Sequence, residues 1–103
     1  MFSAIKKIFS SSPQVDLGEL IANKAIILDV RTKDEYNGGH IKGSINIPLQ
    51  TLNAQLSKLK KEKTIITCCA SGGRSSAAKS MLKSNGFVNV HNGGSWLRLK
   101  QYV

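Results

Sequence analysis

Long apolar runs are missing from this sequence, and so is the pattern of a secretory signal. Uninterrupted apolar stretches such as Ala25 to Leu28 fall far short of the ~20 residues that a membrane-spanning helix needs. The basic N-terminus is followed neither by an apolar core of ~7–15 residues nor by a small-residue cleavage site. These absences predict a cytoplasmic protein without a membrane span.

Aromatic and acidic residues are also scarce. Aromatic side chains make up 6% of the chain and are not interleaved with basic residues, so the sequence does not predict a stacking surface for nucleic acid. Six acidic residues stand against 15 basic ones, and the net charge of +9 attracts anions in general. Much of that charge lies at a predicted solvated helix end, on Lys58, Lys60, Lys61 and Lys63.

Only two cysteines are present, Cys68 and Cys69, and they are adjacent. Neighbouring side chains on a strand point to opposite faces, so an ordinary disulfide between them is not expected. The histidines, His40 and His91, do not combine with the thiols in a spacing typical of zinc sites. We therefore predict free thiols in a reducing compartment, with no metal and no organic cofactor.

The length of 103 residues predicts one compact domain. Residues 1–12 form a short basic amphipathic lead that runs into a Ser-Ser-Ser-Pro turn, and the folded domain is predicted over residues 13–103. A membrane-surface anchor is an alternative role for the lead, although so short a helix buries too little apolar area for stable attachment.

Strand and helix patterns alternate after the lead. β-branched runs predict strands that are buried on both faces, and capping residues with apolar positions at helical spacing predict helices between them. The predicted strands are 25–30, 45–47, 64–68 and 88–90. The predicted helices are 16–23, a short helix from Thr32, 49–59 with a leucine stripe, 75–85 with Ala77, Ala78, Met81 and Leu82 facing inward, and a last helix containing Trp96. The alternation predicts an α/β fold, with a mostly parallel sheet of about four to five strands and helices on both faces.

The segment from Cys69 to Ser75 joins a predicted strand to a predicted helix, at the edge where such sheets bind ligands. Its backbone N–H groups and the positive helix terminus can converge on the Cys69 sulfur, because Gly72 and Gly73 allow positive φ values. Arg74 adds a permanent cation. Such surroundings lower the pKa of a cysteine from ~8.5 to about 3.5–7.5, so we predict a nucleophilic thiolate at neutral pH.

A plainer interpretation makes Cys69 a small core residue and the glycines a simple turn. A core residue needs neither the glycine pair nor Arg74, so we favour the reactive thiol. Cys68 lies inside the predicted strand and is interpreted as a buried small hydrophobe, with a redox role as the alternative.

Four ordered motifs extend over nearly the whole chain after residue 13. They are Leu28-Asp-Val-Arg31 with Glu35-Tyr36, Gly39-His-Ile-Lys-Gly-Ser-Ile-Asn-Ile-Pro48, Cys69 to Ser75, and Gly93-Gly94 before Trp96. In these motifs the sequence resembles the rhodanese domains. The resemblance implies a thiosulfate sulfurtransferase, in which Cys69 carries a sulfane sulfur as a persulfide. It also implies that the anionic donor is bound by the rest of the loop, Ala70, Ser71, Gly72, Gly73, Arg74 and Ser75.

The partners that this resemblance implies are a small anionic sulfur donor, such as thiosulfate, and a thiol or cyanide acceptor. A thioredoxin-like protein is one candidate acceptor, and the protein is expected to be a monomer that does not bind nucleic acid. Two features depart from the family pattern: Cys68 stands where an aromatic residue is frequent, and Trp96 is closer to Gly94 than usual. These departures bear on partner choice and not on the fold.

Two other functions remain open at this stage. The first is a sulfur relay or binding module that receives its sulfur from a protein and has little activity on thiosulfate. The second is a phosphatase or arsenate reductase with a similar fold, but those phosphatases place one more residue between cysteine and arginine than the segment from Cys69 to Arg74 has.

The remaining polar residues of the motifs are predicted to be structural. His40 is interpreted as a hydrogen-bonding residue of its loop and not as a general base. Asp29 and Arg31 are predicted to form a charged network that supports the loop from a neighbouring strand end. His91 is predicted to end a strand and face solvent, and we interpret Gly93, Gly94 and Trp96 as turn and packing residues.

Overall fold

Four parallel strands form the centre of the fold, in a computed structural model that describes residues 15–103. They are β1 (Ile26–Asp29), β2 (Ile45–Asn46), β3 (Ile65–Cys69) and β4 (Val90–Ser95), in the spatial order β2-β1-β3-β4. Every neighbouring pair is parallel, which confirms the predicted α/β fold. The predicted lead at residues 1–12 lies outside the described residues.

Short helices connect the strands. They are α1 (Leu17–Ala22), α2 (Lys33–Asn37), α3 (Leu49–Leu52), α4 (Gly73–Ser84) and α5 (Trp96–Leu99), and 3₁₀ turns at Asn53–Lys58 and Lys100–Tyr102 extend α3 and α5. Asp16 caps α1 by accepting a hydrogen bond from the Glu19 N–H at 3.1 Å. Thr32 and Glu35 form the predicted capping box at the start of α2. Within residues 15–103, no helix has the length and apolarity to cross a membrane.

Side chains alternate between the two faces of the sheet and form an apolar core on each. On β3, Ile65 and Cys69 belong to one core, and Ile66 and Cys68 belong to the other. The first core also contains Leu28, Val30, Ile47, Leu52, Leu59, Ala78, Leu82, Phe87 and Val90. The second also contains Ile27, Ile41 and Leu99, with Leu17, Leu20, Ile21, Ala25 and Trp96 packed against them. The adjacent cysteines therefore point in opposite directions, as predicted, and both are free thiols.

The leucine-striped segment is not the continuous α-helix that its pattern predicts. Helix α3 ends at Leu52, and the chain continues as a 3₁₀ turn in which Gln55 leaves helical geometry, with φ −120° and ψ 20°. Leu52 and Leu59 are nevertheless buried, and Leu56 packs against the same core. The spacing predicted the buried stripe correctly, because leucines three residues apart lie on the same face of a 3₁₀ turn as well as of an α-helix.

Helix α4 begins at Gly73, which is earlier than the predicted start at Ser75. Its buried positions are Ser75, Ala78 and Leu82, at steps of three and four residues, so the predicted inward position of Ala77 is wrong and that side chain is exposed. The predicted left-handed residue after the helix is confirmed, since Gly86 has φ +92°.

Strand β4 also differs from its prediction. It begins at Val90, not at Val88, and it runs through the Asn92-Gly93-Gly94 segment that we expected to turn. Its register with β3 pairs Thr67 with Asn92 and Cys69 with Ser95, so two β4 residues lie opposite one β3 residue. This β-bulge keeps Gly93 and Gly94 within the strand.

Gly93 is expected to be required for close packing of β4. A Cβ atom at this position would lie 2.7 Å from Ile66 Cγ2 and 2.9 Å from the Thr67 carbonyl oxygen. Because the core cannot move aside freely, Gly93→Ala should lower the free energy of unfolding in urea by about 1–3 kcal/mol. Gly38→Ala is the matched control, since its nearest contact would be an ordinary 3.5 Å. Equal stabilities of the two variants would contradict this assignment.

Candidate active site

Cys69 is the last residue of β3, and its sulfur lies at the N-terminal end of α4. The residue is buried, with 1% of its surface exposed. The Gly72 N–H donates to the sulfur at 3.0 Å, and the Ser75 N–H donates to it at 3.3 Å. The predicted convergence of loop amides on this sulfur is therefore present in the structure.

One glycine of the pair provides the left-handed conformation that closes the loop. Gly72 precedes α4 with φ +110° and ψ −15°, a conformation that L side chains rarely adopt. Gly73 has no positive φ, contrary to the prediction, because it already belongs to the first turn of α4. Thr67 ties this turn to the sheet, since its hydroxyl donates to the Ser75 carbonyl oxygen at 2.8 Å.

The surroundings of Cys69 favour its thiolate. Burial raises the pKa of Cys69, but hydrogen bonds with Ser75, Gly72 and Ser71 of the loop together outweigh burial and bring the pKa below its ordinary value. A lowered pKa increases the fraction of thiolate at neutral pH, and the thiolate is the nucleophilic form. The loop can therefore hold a reactive sulfur anion with neutral donors.

Cys68 has the opposite character although it is the next residue in the chain. It is fully buried in the core on the other face of the sheet. Burial, with a smaller contribution from the nearby Asp29 carboxylate, raises the pKa of Cys68 to about 12. Its predicted role as a buried small hydrophobe is confirmed by this burial.

Arg74 does not extend freely over the loop. Its guanidinium forms a two-point ion pair with Glu35, with Nη1 2.7 Å from Oε1 and Nη2 3.0 Å from Oε2. This ion pair, followed by the hydrogen bond from the Thr32 N–H, lowers the pKa of Glu35 to about 2. The sequence predicts the capping box of Glu35 but not this second contact, because it joins residues 39 positions apart.

The other predicted loop residues divide between surface and interior. Ala70, Ser71 and Gly73 are exposed at the rim, whereas Ser75 is fully buried. The Ser75 hydroxyl lies 2.6 Å from Asn92 Oδ1. Asn92 was not predicted to be near the loop. Its signal in the sequence was weak, because an asparagine before two glycines is also typical of a turn.

Asp29 and Arg31 form the predicted charged network behind the site. Arg31 Nε and Nη2 donate to the Asp29 carboxylate at 2.7–3.0 Å, and these bonds raise the pKa of Arg31. Arg31 also donates to the carbonyl oxygens of Glu35 and Gly39 and stacks on Trp96, 4.4 Å from the ring centroid. The network fixes the end of β1 to α2, the helix that carries Glu35.

Neither histidine side chain forms a hydrogen bond with the Cys69 sulfur. His40 bonds through Nδ1 to the Tyr36 carbonyl oxygen at 2.8 Å and stacks on the Tyr36 ring, which confirms its structural role. His91 lies half-buried inside β4, so the prediction that it ends a strand is wrong. Burial and then the charges of Lys79 and Lys83 lower the pKa of His91.

In the described part of the chain, no three acidic, histidine or cysteine side chains are grouped as metal ligands.

This chain belongs to the rhodanese-like domain family, which matches residues 14–96. Thiosulfate sulfurtransferase PspE of Escherichia coli is 33% identical over 69 residues, covering 65% of this chain and 66% of PspE. The putative sulfur carrier protein YrkF of Bacillus subtilis is 39% identical over 66 residues, covering 64% of this chain and 36% of YrkF. The structure of the human single-domain sulfurtransferase TSTD1 matches with a TM-score of 0.73 and 27% identity, covering 86% of this chain and 95% of TSTD1.

The matches extend over only part of several curated relatives. The chain spans 55%, 27% and 66% of the lengths of three of them. Sulfur transfer is the activity named for PspE and TSTD1.

Proposed function

We propose that this protein is a sulfurtransferase that carries a sulfane sulfur on Cys69. The supporting observation is the placement of the Cys69 sulfur at the convergence of loop N–H groups, which lowers its pKa and stabilises an anion there. Similarity to PspE and TSTD1 supports the same class of reaction. Two free thiols on opposite sheet faces also suit a reducing compartment such as the cytoplasm.

In the first half-reaction the Cys69 thiolate attacks the outer sulfur of thiosulfate. A new S–S bond forms at Cys69 while the bond between the two thiosulfate sulfurs breaks, and sulfite leaves with that electron pair. The outer sulfur keeps the negative charge that it carries in thiosulfate, and the charge of the attacking thiolate leaves with sulfite. The N–H groups of Gly72 and Ser75 already donate to the attacking thiolate before the reaction begins, so the nucleophile is stabilised with little reorganisation.

In the second half-reaction a thiolate or cyanide attacks the outer sulfur. The S–S bond to Cys69 breaks, its electron pair returns to the Cys69 sulfur, and the starting thiolate is restored. The exposed rim of Ala70, Ser71 and Gly73 leaves the loop open to an acceptor from solvent. Division into two half-reactions gives ping-pong kinetics.

Intact-mass measurement tests the proposal directly. The purified protein is expected to gain the mass of one sulfur atom with thiosulfate and to lose it with cyanide. Initial rates with thiosulfate and cyanide should then give parallel double-reciprocal lines. No sulfur adduct, or rate lines that intersect, would reject Cys69 as a carrier loaded by thiosulfate.

Release of Arg74 from Glu35 is expected to strengthen binding of an anionic donor. Glu35→Gln retains the capping box but removes the charge that competes with the donor for Arg74. The KM for thiosulfate should fall about two- to five-fold, the range expected for a solvent-accessible ion pair. Arg74→Ala should raise it, and Glu62→Gln, at an exposed acidic position, is the control. An unchanged KM in both Glu35→Gln and Arg74→Ala would remove Arg74 from donor binding.

A sulfur relay is a second candidate, favoured by the same ion pair. With Arg74 neutralised by Glu35, the loop offers a free anion less charge than the sequence alone suggests. A persulfide delivered by a partner protein would not depend on that cation, and the name of YrkF is consistent with a carrier role. Loading by a desulfurase with little turnover of thiosulfate would favour the relay. Hydrolysis of an aryl phosphate that disappears in Cys69→Ala would instead favour phosphatase chemistry.

A further inference from the structure

The Ser75 hydroxyl has one hydrogen and three possible acceptors. Asn92 Oδ1 lies 2.6 Å from Ser75 Oγ, the Gly72 carbonyl oxygen lies 3.0 Å away, and the Cys69 sulfur lies 3.5 Å away. Only one of the three can receive a well-directed hydrogen bond. The shortest contact, to Asn92, identifies the acceptor.

The orientation of the Asn92 amide is fixed from its other side. The Gly94 N–H donates to Asn92 Oδ1 at 2.9 Å. Rotation of the amide by half a turn would place its NH₂ group against that N–H and leave two donors facing each other. Oδ1 therefore stays directed at Ser75 as an acceptor, and Ser75 presents a lone pair to the Cys69 sulfur.

The other donors to the sulfur cannot adjust in this way. The N–H groups of Ser71, Gly72 and Ser75 belong to the backbone and keep their directions, whereas the Ser75 hydroxyl can rotate. We propose that Asn92 is a positioning residue that holds the Ser75 hydroxyl hydrogen away from the Cys69 sulfur. The backbone N–H groups then stabilise the Cys69 thiolate, and the Ser75 hydroxyl oxygen accepts a hydrogen bond from the neutral thiol.

This inference rests on the proposed function where it concerns turnover. When an acceptor removes the outer sulfur, Cys69 leaves as a thiolate with the electron pair of the broken S–S bond. Without Asn92, the Ser75 hydroxyl has the Gly72 carbonyl oxygen and the Cys69 sulfur as acceptors, and the anionic sulfur is the stronger of the two. The hydroxyl would then donate to the thiolate and make it a better leaving group. Asn92 therefore influences how readily Cys69 ionises, which can be measured without any sulfur transfer.

The experiment is the pH dependence of Cys69 alkylation by iodoacetamide, followed by intact mass. Asn92→Leu removes the acceptor and retains the approximate volume of this exposed side chain. The midpoint of the alkylation profile is expected to move down by roughly 0.5 to 1 pH unit, the effect of one hydrogen bond gained by a charged group. In a Ser75→Ala background the same Asn92→Leu change should produce no shift.

Asn89→Leu is the matched control, since Asn89 is an exposed asparagine just before β4 whose side chain has no hydrogen-bond partner among residues 15–103. The charged and titratable groups on the elements around Cys69 are the same in the leucine and alanine variants. They are Arg74 on α4, Glu35 on α2, Cys68 on β3, the Asp29–Arg31 pair at the end of β1, and His91 on β4.

A midpoint that stays in place or rises in Asn92→Leu would overturn the proposal. So would a shift of equal size with and without the Ser75 hydroxyl, because that would show a structural effect. Asn92→Ala provides the same comparison if the leucine variant does not fold, and Asn92→Asp, which retains the acceptor, should not lower the midpoint. If thiosulfate loads no sulfur but the alkylation shift follows this pattern, the proposed function fails and the role of Asn92 stands.

Discussion

The Cys69→Ala variant is expected to take up no sulfur from thiosulfate, whereas Cys68→Ala should take up one sulfur atom per chain like the parent protein. The reason is the contrast between two adjacent thiols. Hydrogen bonds from the loop lower the pKa of Cys69, while burial in the opposite core raises the pKa of Cys68 to about 12. Cys69 is itself only 1% exposed, so protonation makes the difference, and a thiol that stays protonated is not a nucleophile. Intact mass before and after thiosulfate measures both variants.

The same contrast gives a pH dependence. Because the pKa of Cys69 is lowered, its thiolate persists as pH falls through the range in which an ordinary cysteine becomes protonated. Alkylation near neutral pH should therefore modify Cys69 first and leave Cys68 intact until the protein unfolds. Sulfur uptake that persists in Cys69→Ala, or that disappears equally in both variants, would contradict this assignment.

The Asp29→Asn variant is expected to lose a large part of the protein's stability. Asp29 and Arg31 are 1% and 4% exposed, and the carboxylate accepts from Arg31 Nε and Nη2 and from the Arg31 N–H. Neutralising the carboxylate leaves the buried guanidinium without its counter-charge, which should lower the free energy of unfolding in urea by about 3–5 kcal/mol. Asp34→Asn, at an exposed position of α2, is the matched control.

A second substitution separates the lost pairing from general damage to the fold. Adding Arg31→Met to Asp29→Asn removes the uncompensated charge, so stability should be partly recovered relative to the single variant. Further loss in the double variant, or a single-variant effect no larger than that of Asp34→Asn, would show that the pair contributes little. Because the network fixes the base of α2, the single variant should also disturb the Glu35–Arg74 contact.

The sequence predicted local features well wherever the responsible residues are close together in the chain. The Asp16 cap, the Thr32–Glu35 capping box and the β-branched strand over 25–30 depend on neighbours within a few positions. The position of Cys69 at the carboxyl end of its strand followed from the alternation of strand and helix alone. In these regions local preference and tertiary packing agree.

The failures lie where distant contacts override local preference. Asn92-Gly93-Gly94 has the composition of a turn, but contact with β3 draws it into the sheet through a bulge. The leucine stripe packs into the core without forming a continuous helix. Gly73 belongs to α4 because Gly72 alone provides the left-handed conformation before the helix. The pairing of Arg74 with Glu35 joins two turns that are distant in the chain, so no local pattern could reveal it.

The opposite orientation of Cys68 and Cys69 means that the chain cannot repair its own reactive sulfur. If an oxidant converts Cys69 to a sulfenic acid, the neighbouring thiol cannot reach across the sheet to form a disulfide with it. These are the chain's two cysteines, so the thiol that rescues Cys69 from oxidation must come from another molecule. Survival of this protein under oxidative stress is thus tied to the supply of external thiols.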